Sequence, residues 1–62
     1  MNKSEFVKKL GRIADQARND QRTVNVNARR YAETIERRAL KALFMVSHGA
    51  SVQDATTFFQ RG

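Results

Sequence analysis

The chain has no cysteine, no proline and no tryptophan, a single histidine and three glycines. Without cysteine, neither a disulfide framework nor a thiolate metal site can hold it together. Without proline, no helix is forced to break. Glycines at positions 11, 49 and 62 alone leave no glycine-rich loop to cradle a phosphate. The carboxylates Glu5, Asp15, Asp20, Glu33, Glu36 and Asp54 show neither the pairing of acid–base catalysis nor metal-ligand spacing. Ser47 precedes the lone His48, but no third orienting group or oxyanion loop accompanies them. Beside Gly49, His48 reads as a partner for a helix C-terminus rather than a base. The expectation is a protein with no catalytic, cofactor-binding or metal-ligating residues. No segment approaches the roughly 18 apolar residues of a membrane span. Charges at Lys3, Glu5, Lys8 and Lys9 deny the start of the chain the apolar stretch of a signal peptide, so a cytoplasmic location is expected.

Positive charge, by contrast, is plentiful. Twelve Lys and Arg against six Asp and Glu give a net charge of +6 on 62 residues. That excess suits an anionic partner, nucleic acid or an acidic protein surface, although a basic balance also serves solubility alone.

The periodicity is helical. Ser4 with Glu5 reads as a helix start, Ser4 as N-cap and Glu5 at the positive end of the dipole. Phe6, Leu10, Ile13 and Ala17 then recur on one face, widened by Val7 and Ala14, which predicts a helix over 4–19. Gly11 costs about 1 kcal/mol inside a helix but would permit a close helix crossing. Residues 19–23 are polar and aperiodic, a connection. Thr23-Val-Asn-Val-Asn alternates at period two, which fits a very short strand or, preferably, the lead-in to a helix capped by Asn25 or Asn27. Over 26–48, Ala28, Tyr31, Ala32, Ile35, Ala39, Ala42, Leu43 and Val46 form one apolar face, with Glu33 and Arg37 opposite at i,i+4. Gly49 stands where a left-handed C-cap is expected. Ser51 and Asp54 resemble a capping box for a last helix over 51–60, which must fold back through Phe58 and Phe59.

These elements make one all-α domain spanning 1–62: an antiparallel hairpin with Phe6, Leu10 and Ile13 against Ile35, Ala39 and Leu43, plus a short third helix. The run Ala39–Val46 holds seven apolar residues and one lysine, so its helix is apolar on nearly every side. So short a chain has little to cover it with. The surplus surface of Leu40, Phe44, Met45, Phe58 and Phe59 therefore predicts a homodimer, or a protein-partner contact, through the central and C-terminal helices. The rival is a monomer whose last helix folds over Phe44. For nucleic acid the candidate contacts are Arg29, Arg30, Arg37, Arg38 and Lys41, with Lys8, Lys9 and Arg12 on the first helix. Glu33 and Glu36 interrupt that series and would pair locally with Arg37 and its neighbours. Tyr31 could stack on a base, but its spacing favours the core or a dimer interface.

Three resemblances bear on function. Residues 39–59, with Gly49 at a turn and Ser51, Val52 and Ala55 after it, resemble the front of a helix-turn-helix repressor motif. The recognition helix that motif calls for would begin about Gly62; were the Ser51 helix the reader, Gln53, Asp54, Thr57 and Gln60 would face the groove, with Arg61 the only cation. Thr23–Asn27 resembles the ribbon of ribbon-helix-helix repressors, which implies base contacts by Arg22, Thr23, Asn25 and Asn27 from a dimer. That fold places its ribbon near the N-terminus, whereas here a full helix precedes it. In size, Lys-rich start and helical texture the chain is also similar to small early-region accessory proteins of temperate lambda-like bacteriophages. That likeness implies a non-enzymatic regulator that binds another protein. The expected function is a non-catalytic regulatory or adaptor protein working through helical surfaces; the alternative is a DNA-binding regulator.

Overall fold

Asn2 opens the first helix. Its side-chain oxygen accepts a 2.8 Å hydrogen bond from the Glu5 backbone N–H, and its amide reaches the Glu5 carboxylate at 3.5 Å. The cap is therefore Asn2 and not Ser4, because Asn2 has Glu5 three residues on, where a reciprocal bond can form. A computed structural model of the chain describes residues 2–61, folded into α1 (Lys3–Asp20), α2 (Val26–Ser47) and α3 (Val52–Arg61). No strand occurs among the described residues. None of these helices is long and apolar enough to cross a membrane.

Asn25 caps α2, accepting from the Ala28 N–H at 3.0 Å, and Thr23 accepts from the Asn25 N–H at 3.3 Å. Val26 and Asn27 thus lie in the first turn of a helix, and the period-two alternation of 23–27 does not mark a ribbon. At the other end Gly49 takes φ +100°. Its N–H reaches the Val46 carbonyl at 3.2 Å and that of Ala50 the Met45 carbonyl at 2.9 Å. This pair of bonds is a Schellman closure, which needs the left-handed conformation that glycine adopts without strain. Ser51 then caps α3 by accepting from the Asp54 N–H at 3.0 Å. The Asp54 carboxylate, a methylene shorter than glutamate, does not return the bond.

The hairpin seam is made of small residues. Ala14, Ala17, Ala32, Ala39 and Ala42 are buried along it, joined by Phe6, Leu10 and Val46, and Ala55 of α3 is buried against the same core. On α1 the seam follows Phe6, Leu10, Ala14 and Ala17, so Ile13 lies at its edge, half-buried. On α2 it runs Ala32, Ala39, Ala42 and Val46, with Ile35 and Leu43 half-buried beside it. The expected Phe6–Leu10–Ile13 against Ile35–Ala39–Leu43 core is thus shifted toward the alanines, which let two backbones approach closely. Gly11 plays no part in that approach: a methyl group built on it meets nothing within 4 Å.

Met45, Val52, Phe58 and Phe59 pack against the same core, placing α3 on the C-terminal half of α2. The N-terminal end of α2 is bare. Every residue from Val24 to Tyr31 is exposed, Ala28 and Tyr31 included, and Tyr31 retains 70% of its surface. Gln21, the residue after α1, already bonds Glu36, ten positions beyond the start of α2. The first turns of α2 therefore extend past the end of α1.

Candidate functional site

Two neighbours cover α2, and neither reaches all the way round it. α1 takes the alanine seam, and α3 takes the Met45 side of the C-terminal half. Leu40 and Phe44, one turn apart on the uncovered side, keep 47% and 59% of their surface. The five apolar residues expected at an interface thus divide. Met45, Phe58 and Phe59 are half-buried against the chain's own core, while Leu40 and Phe44 face outward. The last helix does not fold over Phe44.

Phe44 stacks on His48, ring centroids 3.8 Å apart and planes 23° apart. The His48 Nδ1 lies 2.9 Å from the Phe44 carbonyl, which can only accept, so Nδ1 carries the proton. Ser47 also donates to that carbonyl, from its Oγ at 3.0 Å. The Ser47 hydroxyl and the imidazole both close the helix end on the Phe44 carbonyl, and the Ser47 Oγ also lies 3.4 Å from the His48 Nδ1, longer than either of those bonds. The imidazole braces the ring of Phe44 at the edge of the Leu40–Phe44 face.

The cations fall into separate groups. Arg29, Arg30, Arg37 and Lys41 are exposed and Arg38 is half-buried. Thr34, Arg37, Arg38 and Lys41 of α2 line a shallow cleft of about 210 Å³ with Phe58 of α3, and the Lys41 Nζ stands 5.3 Å from the Phe58 ring centroid. On α1, Lys8, Lys9 and Arg12 line another depression together with Glu5 and Ile13.

Glu36 does not interrupt the α2 cations as expected. It turns to α1, where the Arg18 Nε donates to it at 2.9 Å and the Gln21 Nε2 at 2.9 Å. Those bonds, Gln21 first and Arg18 next, hold the Glu36 carboxyl below its ordinary range. The hydrogen bond to Glu36, and then the Glu36 charge, in turn raise the Arg18 guanidinium above its own ordinary value. Among the described residues this is the one ion pair within 4 Å, and the i,i+4 pair Glu33–Arg37 does not close.

A groove of about 390 Å³ lies between α1 and the N-terminal half of α2, where α3 does not reach. Ile13, Ala17, Ala32, Ile35 and Tyr31 form its apolar lining. Tyr31 is therefore neither core nor covered. No three His, Asp or Glu side chains converge to hold a metal among the described residues. The positions a helix-turn-helix reader would use on α3, Gln53, Asp54, Thr57 and Gln60, are exposed, with Arg61 the cation beside them. Compared with known proteins, the chain matches no family model, no curated protein and no solved structure. Its surfaces are read from their own chemistry.

Proposed function

We propose that this chain is a small non-catalytic regulatory or adaptor protein that works through protein–protein contact, with the Leu40–Phe44 face of α2 as the contact surface. A second copy of the chain occupies that face first, and the dimer is the acting form. The observation that carries this reading is the pair of adjacent, large apolar side chains left uncovered on the longest helix. Two such residues at the centre of a helix–helix contact have the position from which interface anchors contribute most of the binding energy. The use of Ser47 and His48 in closing α2 supports a non-catalytic role. On the strength of the resemblance drawn from the sequence, we place it with the phage- or mobile-element-encoded accessory proteins that act in the cytoplasm.

Sedimentation equilibrium over a range of protein concentrations tests this. The wild-type chain is expected to dimerise, and Leu40→Ala with Phe44→Ala to give a monomer of unchanged helicity. A wild-type monomer throughout, or a dimer indifferent to both changes, rejects this face as the contact.

A further inference from the structure

We infer that α2 carries, beside α3, a second and independent site that takes the phosphodiester backbone of duplex nucleic acid without reading its bases. Arg30, Thr34, Arg37, Arg38 and Lys41 recur at i, i+4, i+7, i+8 and i+11, one continuous helical stripe. The inference does not rest on the protein-contact reading, since Leu40 and Phe44 lie on the adjoining face of the helix.

Three observations distinguish this stripe from an ordinary solvated face. The first is the place of Glu36, which stands at neither three- nor four-residue spacing from any member of the stripe and is paired instead with Arg18 and Gln21 on the α1 side. Glu33 is the one carboxylate at helical spacing beside the stripe, three residues from Arg30 and four from Arg37, and no side-chain carboxylate among the described residues lies within 4 Å of Arg37, Arg38 or Lys41. The second is shape. Arg37, Arg38 and Lys41 share the lining of one cleft that contains no acid, whereas the basic depression on α1 includes Glu5. The third is construction from two helices. Phe58, half-buried against the core, offers its ring to the Lys41 ammonium and so favours one position of a side chain that would otherwise sample widely.

The extent of the stripe selects a polymer over a small anion. From Arg30 to Lys41 the helix rises about 16 Å. At about 3.4 Å of duplex axis per phosphate on each strand, that length runs beside four or five consecutive nucleotides. The Thr34 hydroxyl already donates to the Arg30 carbonyl at 3.0 Å, so the phosphates are met by the cations alone. Cations held on phosphate oxygens fix position and register and confer no sequence preference.

The test is fluorescence anisotropy of a labelled mixed-sequence DNA duplex, titrated with the full chain at several salt concentrations. Four cation–phosphate contacts predict a log–log salt slope of about −3 to −4. Arg37→Gln with Lys41→Gln should flatten the slope by about 2 and weaken binding by roughly tenfold or more near 0.1 M salt, equally on unrelated sequences. Lys8→Gln with Lys9→Gln removes the same net charge elsewhere and should change binding far less. Equal losses from the two double variants would show that bulk charge, not this site, attracts the duplex, and would overturn the inference. So would an absence of binding at the lowest salt. All four positions are exposed, and circular dichroism is the check that each variant folds. Phe44→Ala should leave the slope unchanged, so failure of the protein-contact reading and failure of this one are separately visible.

Discussion

Arg18, near the end of α1, donates to the Glu36 carboxylate of α2 at 2.9 Å, across a separation of 18 residues in the chain. Gln21 donates to the other carboxylate oxygen at 2.9 Å while also reaching the Ala17 carbonyl at 3.3 Å. Glu36 is thus the point at which the end of α1 and the start of the connection are both tied to α2. The Glu36 side chain is 18% exposed and that of Arg18 69% exposed. The bond is a solvent-screened clamp of modest strength rather than a buried ion pair.

The pH dependence follows from the lowered Glu36 carboxyl. A carboxyl held low in the folded state contributes stability that is present above the ordinary glutamate range, about 4.3. That contribution is lost as pH falls through the folded value. Thermal unfolding followed from neutral pH to about pH 3 should therefore show a smaller acid-induced drop in Tm for Glu36→Gln than for the wild type. An identical drop in both proteins would remove Glu36 from the acid response.

Gly11→Ala should stabilise the chain. The new methyl group meets nothing within 4 Å, the position is inside a helix, and its backbone is ordinary helix. The gain expected is about 0.5–1 kcal/mol, a rise of roughly 2–8 °C in Tm for a domain this small. A loss of stability on this change would mean that the alanine methyl strains α1.

Gly49→Ala should do the opposite. Space is open there too, so the penalty is confined to the backbone, where an L residue must hold φ +100°. A loss of about 1–2 kcal/mol in chemical denaturation is expected. Gly49→Asn should fall between the two, because asparagine tolerates that region better. Equal stability of all three would contradict the Schellman closure.

Much of this architecture was legible in the sequence. Three helices, their polar connections and the Gly49 terminus follow from local chemistry, each boundary fell within one residue or so of its expected place, and of the two caps left open for α2, Asn25 and Asn27, the structure uses Asn25. What could not be read depended on which residue won a contest among local equals. Asn2 and Ser4 can both cap a helix, and only the bond to Glu5 decides. Ile13 and Ala14 lie on the same broad apolar face, and the close approach of the two helices favours the smaller one. Glu36 has arginines at neighbouring positions, yet its partner comes from another helix. Among Leu40, Phe44, Met45, Phe58 and Phe59, periodicity shows that all are apolar but not which three the chain covers for itself. That division depends on where α3 docks.

Substitution should therefore hurt most where the side chains are smallest. Ala39 and Ala42 have no exposed surface. Enlarging Ala42 to leucine should cost about 1–3 kcal/mol by overpacking, measured by chemical denaturation. Leu40→Ala, which deletes far more apolar volume in the half-exposed position two residues earlier, should cost less than Ala42→Leu. The reverse order would mean that the alanine seam has slack.

The bare first turns of α2 give the molecule an uneven rhythm. Backbone amides around Ala39 and Val46 are locked beneath neighbouring helices and can open only when the whole fold opens. Those from Arg29 to Tyr31 belong to exposed residues held by the Asn25 cap and intrahelical bonds, with only the open groove beside Tyr31 between them and α1. That end of the helix should therefore exchange its amides by local opening, faster than the core. A binding partner that gripped it would slow the breathing of that segment alone.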